Sequence, residues 1–231
     1  MSETNKLVFH GLDREGDIEV RQRNAPHWFQ VGAAIFVTFR TIDSLPREVI
    51  LRMQAELEHW LTIKKFPIEL AASTVHRKAP NHQQLLETLK AQDRKEFRRM
   101  ADRLFHMSLD DCHGECLLKS PELAKVVANA ILHDNDDKFD LECFVMMPNH
   151  VHAIVQFRNG YDLSIVGQSW MRYSARLMHR ALVQQGAFWQ PEPFDHIIRS
   201  PEQFLYLQKY IAENPTKANL SRNEYVYWAR E

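Results

Sequence analysis

The sequence predicts an α+β fold built around an antiparallel sheet, and three observations predict it. Segments with strand and helix periodicity follow in the order strand, helix, hairpin, helix, strand, a ferredoxin-like order with helices on one face of the sheet. Of the 231 residues, 45% are hydrophobic and 7 are glycine, which favours a compact domain with a sizeable core. A polar, partly helical stretch at residues 62–119 interrupts this order and is predicted to be an insertion within one domain, residues 1–231.

The first predicted strand and helix lie before the insertion. The run at residues 33–40 is apolar and rich in aromatic and β-branched residues, which is typical of a buried strand. Ser44 and Pro46 are typical of a helix start, and we expect that helix to continue to about Leu61.

A second helix and a hairpin follow the insertion. A Ser-Pro pair opens the helix predicted at residues 120–133. Residues 139–146 form an apolar, β-prone run, and the Pro-Asn pair at 148–149 is typical of a turn. The sequence therefore predicts a hairpin whose second strand begins with His150.

The last predicted elements are a long helix, a strand and a final helix. Apolar residues recur at helical spacing over residues 163–183, and residues 194–198 predict a strand. Ser200 and Gln203 form a capping box for the final helix. We expect that helix to stop near the Asn-Pro pair at 214–215, because the residue before a proline is biased away from helical geometry.

Two histidines open the second strand of the hairpin. His150 and His152 are one residue apart, and alternate residues of a strand point to the same side, so both imidazoles face one spot. Such a pair can hold a divalent metal, although half-buried strand histidines without a ligand are the commoner case. Ile154 and Gln156 share their face. Both faces of this strand contain apolar residues, so the pattern leaves open which face the following helix covers.

A tyrosine in the following helix is a candidate nucleophile. Tyr173 lies among Arg172, Arg176 and Arg180, and positive charge favours a phenolate and binds phosphate. The alternative is a tyrosine packed in the core, with arginines on a solvated helix face.

Several ordered motifs resemble the REP-associated tyrosine transposases, which belong to the HUH single-strand transposases that use one tyrosine. The C-terminal motifs are FVMMPNHVH at 144–152, SWMRYSA at 169–175, FWQ at 188–190, FDHIIR at 194–199 and YIAENPTKA at 210–218. An N-terminal part, PHWFQ at 26–30 with FVTFR at 36–40, resembles the same family. The likeness covers most of the chain and thins between about residues 64 and 116.

The resemblance implies a metal-dependent endonuclease and strand transferase. Two histidines and usually a third polar group would hold Mg²⁺ or Mn²⁺, and Tyr173 would attack a scissile phosphate of single-stranded or hairpin DNA. The tyrosine would end joined to the 5′ phosphate, leaving a free 3′ hydroxyl. We also expect DNA contacts from the arginines beside Tyr173 and from the motif at 194–199, and the residues concerned are Arg172, Arg176, Asp195, His196 and Arg199.

Two positions depart from the family pattern. Met171 stands where a lysine commonly follows the tryptophan, and Leu177 stands one turn after Tyr173, where relatives often carry a polar residue. Leucine cannot bind metal. The third ligand is therefore open, and the candidates are Gln168, His179 and His196.

Charge and composition give looser bounds. The formal net charge of −1 is unusual for a protein that binds DNA phosphates, so a DNA-binding surface would have to be a local cluster of basic residues. One candidate is the basic segment at residues 90–103, for which a salt-bridged helix is the favoured alternative. We expect a cytoplasmic protein without a membrane span, because no apolar run is long enough and three cysteines fit a reducing compartment without disulfides. A monomer and a homodimer both remain possible.

Three functions therefore stand. The favoured one is the strand transferase; the others are a DNA-binding protein that has lost its chemistry, and a phosphodiesterase that uses activated water while Tyr173 is merely packed. A covalent protein–DNA adduct distinguishes the first from the other two.

Overall fold

The computed structural model describes residues 7–22, 26–66 and 89–231. The chain packs as two compact units, one formed by Met1–Ser44 with Glu115–Glu231 and the other by Leu45–Gly114. The elements in chain order are β1 Glu19–Gln22, β2 Pro26–Phe29, β3 Ala34–Arg40, α1 Arg47–Ile63, α2 Ala91–Asp110, a 3₁₀ turn Leu117–Lys119, α3 Pro121–Leu132, β4 Phe139–Met146, β5 His150–Phe157, α4 Leu163–Leu182, β6 Phe194–Ile197, α5 Pro201–Lys217 and β7 Val226–Ala229.

The first unit contains a five-stranded sheet in the order β6-β3-β5-β4-β7, and every neighbouring pair is antiparallel. Its first four strands have the ferredoxin-like arrangement, so the predicted α+β class and sheet order are confirmed. Two features were not predicted: the separate β1–β2 hairpin, and β7, which pairs with β4 at the sheet edge.

Helices cover both faces of this sheet. On one face Val151, Ala153 and Val155 pack in a cluster with α3 and α4, and we call it the α4 face. On the other, which we call the α5 face, Phe36 and Ile154 pack with α5. The expectation of helices on one face is therefore wrong. The central strands β3 and β5 are apolar on both sides, and a sheet of that kind must be covered on both.

The predicted start of α5 is confirmed, but its predicted end is wrong. The Ser200 side chain accepts a hydrogen bond from the backbone N–H of Gln203 at 3.2 Å, so the predicted cap is confirmed. The helix does not stop at Asn214, however, but continues through Pro215 to Lys217. In the last turn a proline costs a single hydrogen bond, and its ring is buried here.

The second unit is a helical pair. Leu57 and Leu61 of α1 pack with Phe97 and Leu104 of α2. The predicted insertion, residues 62–119, overlaps this unit, although its residues 67–88 lie outside the part of the chain that the structure describes.

The basic segment lies within α2, and acidic residues among its arginines and lysines are engaged inside the unit. Lys64 forms ion pairs with Asp93 at 3.1 Å and with Glu96 at 3.0 Å. Glu96 also accepts a hydrogen bond from the Trp60 indole at 3.1 Å. This arrangement has the character of a salt-bridged helix.

Two further expectations concerned disulfides and membrane spans. Cys112 and Cys116 are each disulfide-bonded, so the expectation of no disulfide is wrong; Cys143 is a buried free thiol whose pKa is raised by burial. Across the three described ranges, every helix is too short or too polar to cross a bilayer.

Candidate metal centre

The two histidines of β5 meet on the α5 face. His150 and His152 are both fully buried, and their Nε2 atoms lie 3.1 Å apart. The prediction that the two side chains share one spot is confirmed. With an imidazole–metal distance of about 2.1 Å, nitrogens 3.1 Å apart subtend about 95° at a shared ion, close to the right angle of octahedral coordination. The spacing therefore fits two neighbouring ligands of one divalent cation.

The outer nitrogen of each imidazole is held by a neighbouring polar group. His150 Nδ1 lies 2.8 Å from Oδ1 of Asn149, and His152 Nδ1 lies 2.7 Å from Oγ1 of Thr38 on β3. Hydrogen bonds of this kind orient a metal-binding histidine and direct its other nitrogen to the ion.

Tyr210 of α5 brings a phenol to the same place. Its hydroxyl lies 3.4 Å from Nε2 of His152, and the two ring centroids are 5.4 Å apart. The ammonium of Lys217 lies 5.6 Å from the centre of the tyrosine ring. In the sequence this residue was noted as part of the motif at 210–218, so its place beside the histidines was missed.

Asn214 follows Tyr210 by one helical turn. It is fully buried, and among the described residues neither its amide oxygen nor its amide nitrogen has a hydrogen-bond partner. A buried amide without a partner costs stability and calls for an explanation, such as an ion in the functional state. An amide oxygen is a suitable ligand for Mg²⁺ or Mn²⁺. The signal in the sequence was a polar residue one turn after a tyrosine.

Tyr173 lies elsewhere. Its helix, α4, buries Val166, Trp170 and Met178 against the opposite face of the sheet. Tyr173 itself is 45% exposed, and the guanidinium of Arg176 lies over its ring at 5.5 Å. Within this chain the structure does not bring Tyr173 together with the two histidines, and its placement gives no support to a role as the nucleophile.

The predicted candidates for a third ligand are also apart from the pair or differently engaged. Gln168 and His179 belong to α4, on the opposite face. His196 of β6 is on the α5 face, where its Nε2 lies 3.3 Å from the amide nitrogen of Gln203. Burial lowers the pKa of His196 to about 4.

Of the predicted DNA-contacting residues, Asp195 is engaged inside the protein. It is on the α4 face, where its carboxylate accepts a hydrogen bond from Nδ1 of His27, and Nε2 of the same imidazole lies 2.5 Å from Glu192. The hydrogen bond with Asp195, more than that with Glu192, raises the pKa of His27. The predicted arginines are exposed on the surface, and they are Arg172, Arg176 and Arg199.

The fold and the site define a class: an α+β protein with a ferredoxin-like sheet and a histidine-lined candidate metal centre. No family model matches the chain. Over 94 residues, 40% of its length, the chain is 26% identical to the REP-associated tyrosine transposase of Escherichia coli strain K12. The chain spans about half of that curated relative, 54% of its length.

A solved structure of a REP-associated tyrosine transposase bound to a REP hairpin is also similar. The TM-score is 0.42 and the identity 15%, and the match covers 85% of this chain and 74% of that one. The curated relative confirms the resemblance inferred from the sequence motifs: the chain is similar to the REP-associated tyrosine transposases.

Proposed function

We propose that the protein is a metal-dependent, transposase-like enzyme that cuts and transfers single-stranded or hairpin DNA through a 5′-phosphotyrosine intermediate. The observation that carries the proposal is the convergence of three groups on the α5 face. The Nε2 atoms of His150 and His152 lie 3.1 Å apart, and the Tyr210 hydroxyl lies 3.4 Å from the second of them. The name of the curated relative supports the substrate class.

Three side chains of this site would hold the metal: His150, His152 and Asn214. Two imidazoles and one amide oxygen suit Mn²⁺ at least as well as Mg²⁺, because imidazole is the softer ligand. When bound, the ion supplies positive charge that stabilises the phosphate as negative charge spreads over its oxygens. The buried amide of Asn214, which has no partner among the described residues, would then gain one.

Tyr210 is the proposed nucleophile. Its phenol oxygen forms a bond to phosphorus while the bond from phosphorus to the 3′ oxygen of the preceding nucleotide breaks. The phenol proton passes to solvent, and the departing 3′ oxygen takes up a proton to become a hydroxyl. The ammonium of Lys217, which lies beside the ring and also pairs with Glu213 at 3.2 Å, can attract the phosphate. Attack by a second 3′ hydroxyl reverses the linkage and joins the strands.

The exposed side of α4 is a proposed DNA-binding surface. The helix contains Arg172, Arg176 and Arg180 and no acidic residue, in a chain whose net charge is −1. Tyr173 lies among these arginines with its ring exposed, where it can stack on a base. In this proposal the arginines around Tyr173 contact DNA, and Tyr173 has no catalytic role. Arg199, also exposed, is a further proposed contact.

One alternative function, a DNA-binding protein that has lost its chemistry, loses part of its basis. Leu177, one turn after Tyr173, weighed against catalysis, but the residue one turn after Tyr210 is Asn214. A DNA-binding protein without chemistry and a phosphodiesterase that uses water would both lack a covalent adduct.

A matched pair of variants tests the proposal. Hairpin-containing single-stranded DNA, end-labelled, is incubated with Mn²⁺ and wild type, Tyr210→Phe or Tyr173→Phe, and then run on a denaturing protein gel. We expect an adduct with wild type and Tyr173→Phe and none with Tyr210→Phe. An adduct lost only in Tyr173→Phe would restore the assignment made from sequence, and cleavage without any adduct would favour activated water.

A further inference from the structure

Thr38 is placed by the sheet directly against one of the two histidines. It lies in β3 at the position that pairs with His152 in β5, and only 2% of its surface is exposed. Its hydroxyl oxygen lies 2.7 Å from Nδ1 of that imidazole. The contact thus joins neighbouring strands and is fixed by their register, not by a flexible loop.

The two imidazoles differ in whether a neighbouring group fixes which ring nitrogen carries the hydrogen. Nδ1 of His150 faces the amide oxygen of Asn149, which can only accept, so this nitrogen carries the hydrogen and Nε2 presents its lone pair. Thr38 offers a hydroxyl, which can donate or accept. The hydrogen of a neutral His152 can therefore be on either ring nitrogen.

The position of that hydrogen decides what His152 can do. With the hydrogen on Nε2, His152 donates to His150 across 3.1 Å, and Thr38 donates to Nδ1. With the hydrogen on Nδ1, Thr38 accepts it, and both histidines direct lone pairs to one point. Only the second arrangement can bind a cation through both Nε2 atoms.

We propose that Thr38 is a positioning residue for the metal centre: by accepting a hydrogen bond from Nδ1–H of His152, it directs the Nε2 lone pair of that imidazole to the cation. This inference rests on the proposed function in one respect, that the histidine pair binds a divalent metal. A valine has the shape of threonine but no hydroxyl, so it would leave Nδ1–H of the metal-binding tautomer buried without its acceptor.

The test measures Mn²⁺ binding to the full chain by calorimetry. Thr38→Val should weaken Mn²⁺ affinity about 10- to 100-fold, the usual effect of removing a partner of a metal-binding histidine. Thr38→Ser keeps the hydroxyl and should bind Mn²⁺ as wild type does. Long-range ¹⁵N–¹H spectra of wild type with Mg²⁺, a diamagnetic ion, should show the His152 hydrogen on Nδ1, and this measurement stands even where the valine variant fails to fold.

The outcomes separate this inference from the proposed enzyme. Wild-type affinity in Thr38→Val, or equal weakening in Thr38→Ser, would each overturn the role of Thr38 while the metal centre stands. No Mn²⁺ binding by wild type would overturn both, and so would a hydrogen on Nε2 of His152 with Mg²⁺ bound, because a protonated Nε2 cannot bind the ion. Weakened binding in Thr38→Val, together with an adduct that survives Tyr210→Phe, would support Thr38 and remove the proposed nucleophile.

Discussion

The two faces of the central sheet are made by the same strands but differ in what they bury. The α4 face is filled mainly by hydrocarbon and aromatic side chains, among them Phe39, Trp170 and Trp189. Its buried polar side chains Ser174 and Asp195 are hydrogen-bonded. The α5 face also has an apolar cluster, but it buries polar side chains as well, and these include Thr38, His150 and His152 of the strands and Asn214 of α5. Burying polar groups costs free energy unless they find partners, so an Asn214 amide without a partner among the described residues, on the face that holds the histidine pair, indicates function. The α4 face indicates stability.

The largest expected effect comes from substitutions that change the α5 face alone. His150→Ala or His152→Ala should abolish Mn²⁺-dependent cleavage, because each removes a ligand, while the fold is retained. Val151→Ala, between them but on the α4 face, is the control: it should lower the free energy of unfolding and leave Mn²⁺ affinity unchanged. Cleavage assays and urea unfolding measure the two effects. Wild-type cleavage by both alanine variants at the histidines would remove the metal centre.

A second substitution changes the α4 face and leaves the two histidines in place. Trp170→Ala removes a buried ring that packs against Phe139 at 5.2 Å, and it should lower the free energy of unfolding by about 3–5 kcal/mol. Ile165 on the same helix is 54% exposed, and Ile165→Ala should change stability by less than about 0.5 kcal/mol. Urea titration gives both values. A loss of Mn²⁺ affinity in folded Trp170→Ala would show that the two faces are coupled.

The two faces should also respond to pH in opposite directions, since Asp195 of β6 raises the pKa of His27, whereas burial lowers the pKa of His196, the next residue of β6. On the α4 face the pKa of His27 is raised by Asp195, so its stabilising contribution is full below the unfolded pKa of 6.5 and is lost as pH rises through the folded value. On the α5 face the pKa of His196 is lowered to about 4, so stability falls as pH drops from 6.5 towards 4.

Unfolding measured from pH 4 to 9 tests this contrast, with about 1.4 kcal/mol expected for each unit of pKa shift. His196→Gln should flatten the acidic side of the profile and His27→Gln the basic side. A His27→Gln profile that still falls above pH 6.5 as the wild type does would contradict the assignment of the Asp195 contact as its cause.

The smallest expected effect concerns DNA affinity on the exposed side of α4. Arg172→Gln with Arg176→Gln should weaken binding to single-stranded DNA and make its salt dependence shallower, by roughly 0.7 in log–log slope for each phosphate that is no longer neutralised. The covalent step at saturating DNA should be unchanged, because these side chains lie away from the histidines. Lys125→Gln, an exposed change on α3, is the control. An unchanged salt slope in the double variant would refute this surface.

Sequence periodicity predicted the parts of the molecule in which a local pattern decides the structure. Alternation placed His150 and His152 together, and long periodic runs gave α3, α4 and the β4–β5 hairpin nearly to the residue. Because both faces of β5 are apolar, the pattern could not tell that α4 covers the face opposite the histidines. The choice of Tyr173 depended on that unresolved point.

The other misses have local causes. Asn214 precedes Pro215 and was interpreted as a helix stop, although a proline in the last turn leaves the helix intact, and this concealed a polar residue one turn after Tyr210. The strand β7 has four residues, too few for a periodic signal, and its existence depends on pairing with β4. Contacts between distant segments, such as Thr38 with His152, depend on register and so require the folded chain.

The alternation of β5 ties the candidate site to the core in a way that constrains how this protein can change. One residue inserted or deleted in the turn that ends at Asn149 would exchange the two faces of the strand, turning Val151 towards α5 and the imidazoles into the hydrocarbon packed under α4. A change in the length of this turn is therefore not neutral. The register shift that takes both imidazoles from the α5 face also buries them among apolar side chains without hydrogen-bond partners. Length variation here should be selected against through folding, whatever the histidine pair does.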